Sequence, residues 1–351
     1  MSFPPLRCTA FCSILTLALL GGGRTGGAQY KKAVSQEDRQ KWGQLTGMPK
    51  EDQQKATRIL KWKDGKQAAF LLGFDDNGGS HLSTVIPELE KRKMPGSFYV
   101  NPGSGNWKKH QAEWAEAAKN PLVTLCNHTF LHTGIQSAAE FEEDLVKTSD
   151  AIYAITPQLK NPRLIVFRQP GGVSWKVSKE EMKVVLTKYH MYSRPWLDGP
   201  PLTMKSLPEV LAPVDSALAK GETGFVDFHG VGGDGNSSPV EWFTALLDKL
   251  EEHRDQFWIT DVVSWYQYQQ ERKSSELKIL ETTPSRVRLG LTGTLDAAYY
   301  DMPLTLAVEV PAAWKECKLS QGARTWQATA AEGRIQFDAV PGPDEIVIAP
   351  R

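Results

Sequence analysis

Two adjacent carboxylates, Asp75 and Asp76, stand at the end of an apolar run over residues 68–74. Because successive side chains of an extended segment point to opposite faces, the two acids are expected to do different work. One can hold a metal ion while its neighbour stays free as a base. Such a pair is also typical of a helix cap followed by a solvated acid, so its meaning depends on the residues downstream.

A second group of candidate ligands follows the apolar segment that ends at Cys126, in residues 127–134. Histidines at i and i+4, as His128 and His132 are, lie on one side of a helical turn and can converge on one ion. With a carboxylate from a neighbouring strand end they make a site of three protein ligands and an open coordination position, as hydrolytic Zn²⁺ requires. We therefore predict Asp76, His128 and His132 as metal ligands.

The segments that must position these residues alternate between apolar strands and helical periodicity. The predicted strands are 68–74, 97–100, 122–126, 164–167 and 224–228, and the predicted helices are 82–89, 107–119, 138–155, 178–189, 239–253 and 262–272. This alternation predicts a parallel sheet, and closure into a barrel is one of its two standard arrangements. The strands would then end on one face, where Asp75, His128, Arg168 and His229 are expected to meet.

The two ends of the chain do not follow this alternation of strands and helices. Residues 274–351 carry short alternating stretches between Gly and Pro turns, which predicts a small antiparallel β-domain. A structural role is favoured for it over carbohydrate binding. Residues 29–65 are polar and helix-prone, and we predict a helical arm there.

Residues 1–28 have the pattern of a secretory signal: Arg7, an apolar run over 11–20 and small residues up to Ala28. The apolar run is too short to span a bilayer as a stable helix, so cleavage is favoured over an uncleaved anchor. We expect a secreted or periplasmic protein that does not contact the membrane after signal cleavage. Of the four cysteines, Cys126 and Cys317 would remain, and separate buried thiols are favoured over a disulfide.

Composition narrows the class of partner. The chain has 351 residues, of which 40% are hydrophobic and 23% charged, as in an ordinary soluble globular protein. Signal cleavage removes two arginines and no acid, so the formal net charge falls from zero to −2. Since no basic stripe with interleaved aromatics is present, no nucleic-acid partner is expected.

The polar clusters at the strand ends resemble, in order, four of the five motifs of the polysaccharide deacetylases with a NodB homology domain, carbohydrate esterase family 4. The matching residues are Phe74-Asp75-Asp76, His128-Thr129-Phe130-Leu131-His132, Arg168-Gln169-Pro170-Gly171-Gly172 and Asp227-Phe228-His229. The resemblance implies an α/β fold, a distorted (β/α)7 barrel over residues 66–273, followed by the small C-terminal antiparallel β-domain.

The resemblance also implies a role for each residue. Asp75 would be the general base that takes a proton from the attacking water, and Arg168 would pair with it. His229, as an imidazolium, would protonate the leaving amine or alcohol. A divalent metal, Zn²⁺ or alternatively Co²⁺, and a backbone N–H near Gly171, next to Pro170, would stabilise the oxyanion. The implied reaction is hydrolysis of an N- or O-acetyl group on an acetylated carbohydrate.

The chain departs from the family pattern at three places. Gly73 stands where the family often has Thr, and Gly171 replaces an aromatic residue. The fourth motif, whose Asp normally tunes the catalytic His, has no clear counterpart. Residues 193–199 lie in the right interval, with Trp196 or Asp198 as candidates. Trp196 is also a candidate platform for stacking a sugar ring.

Two other functions stay open at the level of sequence. One is a hydrolase of the same fold that cleaves a non-sugar C–N bond, which Gly171 and the missing fourth motif favour. The other is a non-catalytic glycan-binding or scaffold protein that keeps the barrel. Asp75→Asn separates the enzymes from the scaffold, because only an enzyme has turnover to lose.

Overall fold

The computed structural model describes residues 56–194 and 199–351. Its strands are β1 Arg58–Ile59, β2 Ala68–Asp75, β3 Gly96–Val100, β4 Val123–Asn127, β5 Val166–Phe167, β6 Tyr192–Ser193, β7 Thr223–Phe228, β8 Gly230–Val231, β9 Ser237–Ser238, β10 Phe257–Thr260, β11 Ser275–Thr283, β12 Arg286–Gly293, β13 Leu304–Glu309, β14 Glu316–Gln321, β15 Arg324–Thr329, β16 Arg334–Ala339 and β17 Ile346–Pro350. Its α-helices are α1 Ile86–Arg92, α2 Gly105–Lys109, α3 Gln111–Ala117, α4 Ala138–Ile155, α5 Lys179–Lys188, α6 Leu207–Lys220, α7 Val240–Glu252 and α8 Val262–Ser274. A 3-10 turn covers Lys63–Gly65, and a π-helical turn over His81–Val85 leads into α1.

A curled parallel sheet carries the candidate residues. Its strands run in the order β6-β5-β4-β3-β2-β7, and β10 pairs with the N-terminal half of β2. Every residue of β2 is buried, which explains its uninterrupted apolar run, because a parallel strand is covered on both faces. The predicted α/β fold is confirmed. Within the described ranges β6 and β7 are not paired, so the sheet is an open half-barrel.

Most of the predicted helices around this sheet are present, with two differences. The helix predicted over 107–119 is two helices, α2 and α3, because His110 leaves helical geometry with ψ at 20°. Helix α6 was not predicted, because its interior holds Pro213, a residue that usually ends a helix. Strong caps fix other ends: Ser178 and Glu181 form a reciprocal capping box at the start of α5.

Residues 275–351 form antiparallel strands, as predicted. One sheet has the order β11-β12-β17-β14-β15, and a second pairs β13 with β16 and β1. Alternate residues of these strands are buried, among them Leu289, Leu319 and Ile348. Whether this region is a separate domain stays a prediction.

The predicted helical arm ends differently from expectation. Between residues 58 and 65 the chain has β1 and the 3-10 turn instead of a helix. Strand β1 forms because Arg58 and Ile59 pair with Ala307 and Leu306 on β13. The rest of the arm and the signal segment lie outside the described residues. No helix in 56–194 or 199–351 is both long and apolar enough to cross a membrane.

Candidate active site at the strand ends

The chain turns immediately after the last residue of β2. Asp75, on the strand, is only 2% exposed. Asp76 has a φ of 70°, in the left-handed region, and its side chain is 40% exposed. The two acids therefore face different surroundings, partly from strand alternation and partly because the backbone changes direction between them.

Asp76, His128 and His132 converge on one point. Their ligating atoms all lie within 4.8 Å of one another. Asp76 Oδ1 is 3.5 Å from His128 Nε2 and 3.4 Å from His132 Nε2. This buried oxygen accepts no hydrogen bond from any described residue. Because a buried carboxylate oxygen without a partner is costly, the three residues fit a bound cation.

His128 is prepared as a neutral ligand. Burial lowers the pKa of His128 to about 3, so the ring carries no charge near neutral pH. Its Nδ1–H donates to the carbonyl oxygen of Arg168 at 2.8 Å. That hydrogen bond leaves the lone pair on Nε2, the nitrogen closest to Asp76. Metal-binding histidines are typically oriented in this way by a partner on the other ring nitrogen.

The predicted helical turn between the two histidines is wrong. Residues 128–134 form an irregular loop, in which Thr129 and His132 have φ values of 67° and 55°. The side chain of Asn127 accepts the N–H of Thr129 at 3.0 Å, and Asp144 accepts the N–H of the next residue. These side-chain acceptors hold the loop in place of helical hydrogen bonds. The histidines still converge, through a different backbone path.

Two asparagines that were not predicted as site residues, Asn77 and Asn101, join the loops of the site. Asn101, just after β3, donates from its side chain to the carbonyl oxygens of His128 and Thr129. Its backbone N–H donates to Asn77 Oδ1 at 2.6 Å. The turn that holds Asp76 is thereby tied to the histidine loop. Their only signal in the sequence is that each lies close behind the end of a strand.

Asp75 lies in a buried set of ion pairs. Arg168 Nη1 is 2.9 Å from Asp75 Oδ1, which is the predicted contact, and 2.8 Å from Asp227 Oδ2. Arg194 Nη2 donates to both oxygens of Asp227, at 2.8 and 2.9 Å. Burial raises the pKa of Asp75, and the neighbouring Arg168 opposes that rise. No role was predicted for Asp227 or Arg194, although a charged residue inside an apolar strand such as β7 indicates a buried partner.

His229 follows β7 and reaches the same site. Its Nε2 is 3.8 Å from Asp75 Oδ2 and 3.9 Å from Asp76 Oδ2. Its carbonyl oxygen accepts a hydrogen bond from Nε2 of the buried His81. Its Nδ1 is buried and has no hydrogen-bond partner within residues 56–194 and 199–351. The candidates for that partner, Trp196 and Asp198, lie outside the described residues.

The predicted oxyanion residues, Pro170 and Gly171, line a cavity that does not include the two acids or His229. Pro170 is buried, Gly171 is partly exposed, and both line a cavity of about 810 Å³ beside α5 and β6. The lining of that cavity includes none of Asp75, Asp76 or His229. The oxyanion role of Gly171 stays a prediction, and so does the substrate contact of Trp196, which is not among the described residues.

Comparison with known proteins gives a family match. Residues 63–188 match the family model described as polysaccharide deacetylase, so the resemblance is confirmed over this part of the chain. A gellan lyase from Bacillus sp is 27% identical over 109 residues, which are 30% of this chain and 4% of that protein. The chain thus spans a small fraction of the length of the curated relative that it matches.

Several solved structures align with half or more of the chain. A carbohydrate esterase family 4 pseudoenzyme from Bacillus anthracis aligns with a TM-score of 0.41 and 20% identity, over 55% of this chain and 63% of that chain. A mutant of a peptidoglycan deacetylase from Bacillus subtilis aligns at 0.40 and 16%, over 55% and 87%. A family 4 domain of a multidomain xylanase from the hindgut metagenome of Trinervitermes trinervoides aligns at 0.43 and 16%, over 57% and 90%.

Proposed function

We propose, from the polysaccharide deacetylase match over residues 63–188, that this protein is a metal-dependent hydrolase that removes N- or O-acetyl groups from a carbohydrate. The observation that carries the proposal is the pair of unlike sites at the end of β2. Asp76 faces two imidazole nitrogens, and Asp75 is held by Arg168. A hydrolase needs both parts: ligands for a cation and a base beside them.

The cation would be held by Asp76, His128 and His132. Two imidazoles and one carboxylate are the donor set of several hydrolytic zinc sites, so Zn²⁺ is the proposed ion and Co²⁺ a substitute. When bound, it supplies Lewis-acid polarisation of the acyl oxygen and of water. The side chain of Asp76 is 40% exposed, which leaves the site accessible to a substrate from solvent.

Asp75 is the proposed general base. Its Oδ1 accepts from Arg168, which fixes the plane of the carboxylate. Its Oδ2 lies 3.8 Å from His229 Nε2 and is the oxygen proposed to take the proton of the attacking water. Burial raises the pKa of Asp75, which makes it a stronger base than an exposed carboxylate.

His229 is the proposed acid. Its Nε2 lies within 4 Å of oxygens of both Asp75 and Asp76, on the side where the reaction would occur. From there the imidazolium would donate a proton to the leaving nitrogen or oxygen as the tetrahedral carbon collapses. The products are acetate and the free amine or hydroxyl of the sugar.

The signal pattern of residues 1–28 supports a place outside the cytoplasm. A secreted or periplasmic deacetylase would meet cell-wall and plant glycans, which are polymers that carry acetyl groups. A carbohydrate is therefore the proposed substrate, in preference to a small amide.

The test is acetate release by the purified mature chain. The panel contains acetylated chito-oligosaccharides, acetylated xylan, peptidoglycan and small aryl acetamides, with bound zinc measured by elemental analysis. We expect metal-dependent release from at least one glycan, with Asp75→Asn as the inactive control. No release from any glycan by protein with one zinc per chain would contradict the proposal. Release from the aryl acetamides alone would favour a hydrolase of non-sugar amides.

A further inference from the structure

Four charged side chains are packed together beneath the proposed site. Asp75 and Asp227 are each 2% exposed, Arg168 is 1% exposed and Arg194 is 5% exposed. Two carboxylates and two guanidinium groups sum to a formal charge of zero. This balance matters because a buried charge without a partner is strongly destabilising.

Asp227 is the central member of this cluster. Its Oδ2 lies 2.8 Å from Arg168 Nη1, and its Oδ1 lies 2.8 Å from Arg194 Nη2. The Arg168 nitrogen that contacts Asp227 is also the one that donates to Asp75, at 2.9 Å. The position of that nitrogen is therefore fixed from two sides. Removal of Asp227 would take away one of these two contacts.

Arg194 is itself held in place. Its Nη1 donates to the hydroxyl of Tyr99 at 2.6 Å. The guanidinium groups of Arg168 and Arg194 lie 5.5 and 5.1 Å from the centre of the Tyr99 ring. Both distances are within the range of a cation–π contact, so the ring braces the two arginines.

The neighbouring strand leaves room for the cluster. Gly73 on β2 is directly opposite Asp227 on β7. A Cβ atom at Gly73 would lie 1.8 Å from Asp227 Oδ1 and 2.9 Å from Arg194 Nη1. The carboxylate of Asp227 thus occupies the volume that any side chain at this position of β2 would need.

We infer that Asp227 is a positioning residue for the proposed deacetylation: by bridging Arg168 and Arg194, it holds the Arg168 guanidinium where it orients the carboxylate of Asp75. The kinetic part of this inference rests on the proposed function, whereas the structural part does not. Asp227 acts through Arg168, because its own carboxylate is enclosed by the two arginines.

The discriminating variant removes one charge of each sign. Asp227→Asn alone would leave an excess positive charge in the cluster, and Arg194→Met alone an excess negative charge. The double variant D227N/R194M retains the charged side chains of Asp75 and Arg168, so the cluster stays neutral. We therefore expect it to be more stable to denaturant than either single variant. Its matched control is R288M/E345Q, which removes an Arg–carboxylate pair on the surface of β12.

The readouts are a crystal structure, kcat and KM. In the double variant we expect the contact between Arg168 and Asp75 to lengthen beyond hydrogen-bonding distance. We expect kcat to fall about 10-fold to 100-fold with KM within about twofold, since a misplaced base costs turnover rather than binding. The control should match wild type in both constants. Arg194→Lys keeps the charge and is expected to retain kcat within about threefold.

Three results would overturn the inference. The first is a double variant in which the 2.9 Å contact of Arg168 with Asp75 is kept and kcat is that of wild type. The second is a kcat that is reduced in Asp227→Asn alone and returns to the wild-type value in the more stable double variant. The third is an equal loss of kcat in Arg194→Lys and in the double variant. If wild type releases no acetate, the proposed function fails, and the crystal structures still decide the inference.

Discussion

Asp75 and Asp76 are adjacent in the chain, and each has buried carboxylate oxygens, but their surroundings differ. Asp75 lies in a closed set, in which Arg168 donates to it and Asp227 and Arg194 complete the charge balance. Asp76 presents a buried Oδ1, with no donor among the described residues, to His128 and His132. A cluster in which every charge has a partner fixes the orientation of its side chains, whereas several acceptor atoms that converge on one point attract a cation. One strand end thus places two neighbouring carboxylates in two different polar environments.

A carboxylate far from this site shows a third solution. Glu271, on α8, accepts the N–H of Met302 at 2.9 Å, while its Oε2 is buried with no hydrogen-bond partner among the described residues. Burial raises the pKa of Glu271 to about 7. It therefore tends to keep a proton, in contrast to the arginine at Asp75 and the proposed cation at Asp76.

The largest expected effect separates the base from the ligands. Asp75→Asn keeps the shape of the side chain and removes its basicity, so we expect kcat for acetate release to fall about 100-fold or more. Arg168 remains, which should hold the amide in nearly the same place. Initial rates on the preferred glycan test this, and a variant with at least half of the wild-type kcat would contradict the role of Asp75.

The next effect concerns stability and needs no substrate. Zinc at about 1,000 times its dissociation constant should raise the free energy of unfolding of wild type by about 4 kcal/mol, because the site exists only in the folded chain. His132→Ala should show little of this gain. Thermal unfolding with and without zinc measures it. A similar gain in both proteins would place the ion elsewhere.

A smaller effect tests how tightly the charged cluster packs against β2. Gly73→Ala would bring a methyl group to 1.8 Å from Asp227 Oδ1, so we expect a loss of about 1–3 kcal/mol in the free energy of unfolding. Gly105→Ala is the matched control, because nothing lies within 4 Å of a Cβ at that position. Urea denaturation compares the two. Equal stabilities would mean that Asp227 has room to move away from β2.

The last expected effect, outside the candidate site, concerns Glu271 and pH. Its pKa is raised from the ordinary glutamate value of 4.5 to about 7 in the fold, so the folded state binds the proton more tightly than the unfolded chain does. The stabilisation is complete below pH 4.5 and is lost as the pH rises towards 7. Glu271→Gln should abolish this loss of about 3 kcal/mol, and its advantage should appear at pH 8 and vanish at pH 4.5. Unfolding at the two values measures it, and parallel curves would contradict the assignment.

The sequence predicted the parts of the fold that local pattern controls. The buried strand β2 was visible in its apolar run, and α4 has the predicted bounds of 138–155 because Ser137 caps its first turn. The helix α6 was not predicted because Pro213 stands in its interior, although Val210, Val214 and Ala217 on this helix are buried in the core.

The candidate site likewise has residues that a local pattern predicts and residues that it does not. His128 and His132 were found from their spacing, although they converge through left-handed residues and not through a helix. The roles of Asp227 and Arg194 could not be found, because they depend on the pairing of β2 with β7, about 150 residues further along the chain. A charge in an apolar strand signals a buried partner but does not say which residue it is.

The division of labour between the two neighbouring acids is tested most directly by zinc affinity. Zinc is titrated calorimetrically into the metal-free wild type, Asp75→Asn and Asp76→Asn. We expect the dissociation constant of Asp75→Asn to stay within about tenfold of wild type and that of Asp76→Asn to rise about 100-fold or more, because only Asp76 would contact the ion. Equal weakening in both variants, or none in Asp76→Asn, would contradict the account.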